Sequence, residues 1–209
     1  MSFDVDLLNE FGIHQNPEVE IASLQKTFEA CVKENGPDSY NPMLVIYDHD
    51  SSPMFALEAR PYTSKKDMYT CFAEMLYSYS ALEGHSFMMS SDVTLRSHES
   101  TGEATKKEDC LTLSFASRSS SCLVIMPYQV DSDNNVIWLH DEFNIASMLD
   151  DEAAVSLDAS GTLTELFYIM SHIKQSPFPF NTLINYYSFR DFPYTLPPSM
   201  IGDKILVKI

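Results

Sequence analysis

The chain has 209 residues, 44% apolar and 21% charged, enough to bury a core of ordinary size without covalent staples. Thirty acidic residues against thirteen Lys and Arg leave a net charge of −17. That balance excludes nucleic acid and anionic membrane as expected partners, because Lys and Arg supply most of the affinity for either.

The start, MSFDVDLLNE, has neither a basic opening nor an apolar run, and no stretch approaches the roughly 18 consecutive apolar residues of a membrane span. A soluble, cytoplasmic protein is expected. Cys31, Cys71, Cys110 and Cys122 show no C-x-x-C spacing and lie in apolar-periodic segments. They read as small core residues of a reducing compartment, with no metal and no cofactor implied. The charge is uneven: from Ser119 to Ile173 there are nine acidic residues and no Lys or Arg.

Residues 1–16 read as a loose leader. Asn16-Pro17 suits a helix cap and first turn, after which Val19, Ala22, Leu24, Phe28, Cys31 and Val32 keep to one helical face until Gly36-Pro37 stops it. MLVIYD (43–48) and MFALEA (54–59) flank the turn cluster HDSSP and predict a hairpin. Ser64 caps a second helix, with Met68, Cys71, Phe72, Met75, Leu76, Tyr79 and Leu82 as its apolar face and Gly84 at its C-terminal cap.

Three or four strands follow. Residues 85–96 and 111–117 are separated by a polar loop, HESTGEATKKED, and 122–130 leads through DSDNN into 136–140. Pro127 within a strand predicts an edge or a bulge. A third helix is expected over Thr162–Gln175, with Leu163, Leu166, Phe167, Met170 and Ile173 on its apolar face. Residues 176–209 hold five of the eleven prolines and seven aromatics, too apolar for a disordered tail. They are expected to pack as an arm on the domain or on a neighbouring subunit, with DKILVKI adding a strand.

The expected fold is therefore α+β: one domain over 17–175, an antiparallel sheet of five to six strands in the order α-ββ-α-βββ(β)-α, with helices packed on it. That order resembles the profilin-like and roadblock-type sandwiches.

Two acidic stretches invite a metal. DSDNNVIWLHDE (131–142) has the oxygen-ligand spacing of a calcium loop, but the sixth position, which needs the positive φ of glycine, is Val136. It reads as a hairpin turn running into a strand. YDHDSS (47–52) resembles the first motif of haloacid-dehalogenase-like phosphatases, and the resemblance implies Asp48 as nucleophile and Asp50 as acid/base beside magnesium. Asp150-Asp151 would be the late acidic motif and Lys106 or Lys107 the lysine. Ser52 replaces the usual Thr or Val, and Pro53 implies a tight return rather than a parallel crossover. His140, Asp141 and Glu142 end a strand where His49 or His85 could join them. His14, His49, His85, His98, His140 and His172 form no zinc spacing, and no nucleophile elbow or phosphate-cradling loop occurs.

The residues thus lead to a non-enzymatic interaction or accessory protein, with a protein partner or self-association as its business. The alternative is a small metal-dependent hydrolase using Asp48, His49 and Asp50, with His140 and Asp141 as further candidates.

Overall fold

A computed structural model describes residues 17–98, 104–117, 121–139, 144–147 and 179–195. Three helices and eight strands are found there: α1 (Pro17–Asn35), β1 (Met43–Tyr47), β2 (Pro53–Glu58), α2 (Lys65–Ala81), β3 (Ser86–His98), β4 (Ala104–Ser117), β5 (Ser121–Val130), β6 (Val136–Trp138), β7 (Asn144–Ser147), α3 (Phe180–Phe189) and β8 (Tyr194–Thr195). The strands make one antiparallel sheet in the order β6-β5-β4-β3-β1-β2-β8, with β7 also on β5, end to end with β6. The α+β class with helices on an antiparallel sheet holds, with more strands than expected. No described helix is long and apolar enough to cross a membrane.

The sheet separates two cores. On one face α1 presses Ile21, Leu24, Phe28 and Val32 onto Val45, Tyr47, Met88, Leu111, Leu113, Val124, Met126 and Tyr128. On the other, α2 and α3 cover the β1–β3 half, packing Phe72, Met75, Leu76, Tyr79, Leu183, Ile184 and Tyr187 against Leu44, Ile46, Phe55, Leu57, Phe87 and Met89. Strand alternation produces this division, because successive side chains of β1 or β3 point to opposite faces.

Several details differ from the expectations. The buried stripe of α1 includes Ile21, whereas Val19 is 65% exposed and Ala22 lies outside, so the stripe is narrower and rotated. Ser64 does cap α2, its hydroxyl accepting from Asp67 N. Gly84 does help close α2, though Glu83 rather than Gly84 takes the positive φ (54°): Gly84 N donates to Tyr79 O at 3.0 Å, and a Cβ on Gly84 would meet Ile46 Cγ2 at 2.6 Å and Tyr79 Cδ2 at 2.9 Å. The loop expected over 98–109 is mostly ladder, because β3 and β4 pair as far as His98 and Ala104. Pro127 is not on an edge strand, since β5 pairs on both sides. Its carbonyl accepts from Leu139 N on the outer side. Its missing N–H points the same way, away from β4, so the β4–β5 ladder forfeits no bond.

The expected arm contains α3, a helix whose Leu183, Ile184 and Tyr187 are buried in the chain's own core, and β8, which extends the sheet beside β2. The leader (1–16), the expected helix over Thr162–Gln175, the final DKILVKI, and His140, Asp141, Glu142, Asp150 and Asp151 lie outside the described residues.

Candidate functional site at the acidic end of the sheet

Asp48, His49 and Asp50 form the β1–β2 turn. Asp48 Oδ1 accepts from the backbone of Asp50 at 2.9 Å and of Ser52 at 2.8 Å, while Asp48 N donates to Ser52 O and Ser51 N to Asp48 O. Ser51 takes a φ of 57°. The carboxylate thus serves its own turn, as short polar side chains do in Asx geometry. β1 is antiparallel to both β2 and β3, which departs from the parallel crossover that the phosphatase resemblance implies.

The calcium-like stretch is built the same way. Asp131 Oδ1 accepts from Asp133 N and Asn135 N, Asp131 N donates to Asn135 O, and Asn134 has φ 60°. Asn135 Nδ2 takes the second oxygen, and Lys33 from α1 ties the turn down through Asp133 O and Asn135 Oδ1. The Asp131 carboxyl is held below the usual range, chiefly by its bonds from Asn135. Among the described residues no group of three or more His, Cys, Asp or Glu is placed to share a metal ion.

A second charged cluster clasps α3. Arg60, buried, gives two bonds to Asp67 (2.7 and 3.3 Å) and one to Glu74 Oε2 (3.1 Å), and its guanidinium lies 5.8 Å from the Phe192 ring centre. Glu74, also buried, receives Tyr186 Oη at 2.7 Å and Arg190 at 3.2 Å, and its carbonyl accepts from Tyr187 Oη at 2.8 Å. Both charges of the buried pair are compensated, so the cluster is a fastening between α2 and α3.

The opposite situation holds at the sheet end where β3 and β4 outrun β1. Asp92 shares the α1-side face of β3 with Met88 and Ser90, and lies half-buried. Tyr128 Oη donates to Asp92 Oδ1 at 2.8 Å; Thr94 Oγ1 donates to Asp109 Oδ1 at 2.9 Å; and Tyr40 Oη bonds to Ser90 Oγ. Burial pushes the Asp92 carboxyl above the usual carboxylate range, the Tyr128 bond pulls it back, and the fields of Asp109 and Asp38 raise it further. The Tyr128 phenol is raised by burial, then by Asp92, Asp109 and Asp38. Tyr40 is raised by burial and sits in the fields of Glu58 and Asp92.

Among the residues whose side chains are described, which leave out Arg96, Lys106 and Lys107, no Lys or Arg is bonded to Asp38, Asp92 or Asp109. A partly desolvated carboxylate facing like charges costs free energy, and carboxylates with raised pKa values gather at functional sites. Phenol rings beside carboxylates suit an organic cation, which gains both charge pairing and contact with an aromatic face.

The framework of this end is aromatic. Phe28 of α1 has Tyr40, Tyr128 and Trp138 around it, with ring centres at 5.2, 4.9 and 5.9 Å, and Trp138 Nε1 donates to Glu29 at 2.8 Å. Sequence reading passed over Asp92, although it holds an inward position of an alternating strand, two places after Ser90 and four after Met88. Asp38 and Asp109 carried no such signal; only the fold brings them near.

No protein-family model, no curated protein and no solved structure matches the chain.

Proposed function

We propose that the chain is a non-catalytic interaction protein whose acidic end receives a Lys- or Arg-bearing segment of a protein partner. What carries the reading is Asp92: a half-buried carboxylate, raised by burial and by Asp109 and Asp38, with a tyrosine donor beside it. A bound guanidinium or ammonium would bring an opposite charge to these carboxylates. Among the described residues no three carboxylates are placed to share one metal ion. The net charge of −17 adds long-range attraction for a basic partner.

The alternative, a metal-dependent hydrolase at Asp48, His49 and Asp50, has less behind it, because the Asp48 oxygen is already engaged by two backbone donors. Calorimetric titration of the full chain with a short Lys/Arg-rich peptide tests the proposal. Binding that weakens on Asp92→Asn and Asp109→Asn but not on Glu18→Gln, an exposed acid on α1, supports it. Equal loss from all three substitutions would mean undirected charge attraction and would overturn it.

A further inference from the structure

The other end of the sheet brings together two histidines that are far apart in sequence. Tyr47 of β1 pairs with Ser86 of β3, so the β1–β2 turn and the α2–β3 connection emerge side by side, away from Asp92, which lies beyond the Met43–Ser90 pair. His49 from the turn and His85 from the connection meet there, with ring centres 4.4 Å apart and planes at 46°.

Both backbones are held firmly. His85 N donates to Tyr47 O at 2.9 Å, and Tyr79 Oη donates to His85 O at 3.1 Å. Gly84, just before it, lies so close to Ile46 that a methyl group would not fit. The turn carrying His49 is fixed by the two bonds that Asp48 Oδ1 accepts.

We propose that His49 and His85 form a two-imidazole site for a borderline transition-metal ion, Cu²⁺ or Ni²⁺ before Zn²⁺. The spacing supports this. Nitrogens at about 2.0–2.1 Å from one ion put imidazole centres roughly 4.5 Å apart at a right angle and roughly 5 Å apart at a tetrahedral one. A ring-centre separation of 4.4 Å is close enough for both imidazoles to reach one ion, and the affinity order of divalent ions puts Cu²⁺ above Zn²⁺. Imidazole suits these ions, whereas Mg²⁺ and Ca²⁺ prefer oxygen. Among the described residues no third His, Cys, Asp or Glu completes a group with them.

Titration of the full chain with CuCl₂ alone, read by electron paramagnetic resonance and by calorimetry, tests the site. The expected result is one equivalent of Cu²⁺ with a two-nitrogen signature, weakened on the order of tenfold or more by His49→Gln and by His85→Gln. His49 is exposed, so its substitution leaves the fold measurable if the His85 variant does not fold. No Cu²⁺ or Ni²⁺ binding, or binding unchanged by His49→Gln, would overturn the assignment.

Discussion

Tyr128 Oη donates to Asp92 Oδ1 at 2.8 Å across β4, joining two residues of non-adjacent strands on the face covered by α1. The bond lowers the Asp92 pKa but does not cancel the effect of burial, and the carboxyl stays above its usual range. The sign of the consequence follows from linkage. Between the unfolded value and the raised folded value the native state binds more protons, so this group makes stability fall as pH rises through that window. Asp92→Asn is expected to remove that fall and to leave the chain more stable at neutral pH than the wild type. Urea unfolding midpoints between pH 3 and pH 7 check it.

Asp67 acts in the opposite sense. Its two bonds from Arg60 hold its carboxyl below the usual range, so its contribution is complete above the unfolded pKa and is lost as pH falls through the folded one. Asp67→Asn should therefore flatten the acid limb that Asp92→Asn leaves steep, and the same unfolding series reads both.

Glu74 holds Arg60, Tyr186 and Arg190 together. Removing one partner of a buried pair leaves the other charge unsatisfied, so Glu74→Ala should cost about 3–5 kcal/mol. The loss should come first from α3: amide exchange in Phe180–Phe189 should speed up before exchange in α1, which shares none of these bonds.

Gly84→Ala would force a methyl group to within 2.6 Å of Ile46 and should destabilise by about 1–3 kcal/mol. Gly36→Ala meets no atom within 4 Å, but its φ of 87° strains any side chain, so a smaller loss of about 1 kcal/mol is expected. Thermal melts separate the two.

How much the sequence disclosed depends on the range of the forces involved. The two turns starting at Asp48 and Asp131 were legible because their chemistry is local: D-x-D followed by two small polar residues lets one carboxylate cap its own turn. The apolar period of α2 was legible for a similar reason, since Cys71, Phe72, Met75, Leu76 and Tyr79 recur within one helix and are all buried. Val19 misled because hydrophobicity alone does not say where a stripe ends; the angle of α1 on the sheet does. The helix α3 was hidden by the prolines around it, although FNTLINYYSF carries its own apolar period. The ends of the sheet were illegible. His49 with His85, and Asp92 with Asp38 and Asp109, are neighbours only through strand register, which no local pattern encodes.

For Asp92 the chain supplies its own reporter. Trp138 is the only tryptophan, and its ring centre lies 6.0 Å from that of Tyr128, the donor to Asp92. The most direct measurement is a titration with a Lys/Arg-rich peptide, followed by Trp138 emission, on the wild type and on Asp92→Asn. A saturable change is expected in the wild type, weakening with salt and shifting to at least severalfold higher peptide concentration in the variant. The same titration curve from both proteins would contradict it.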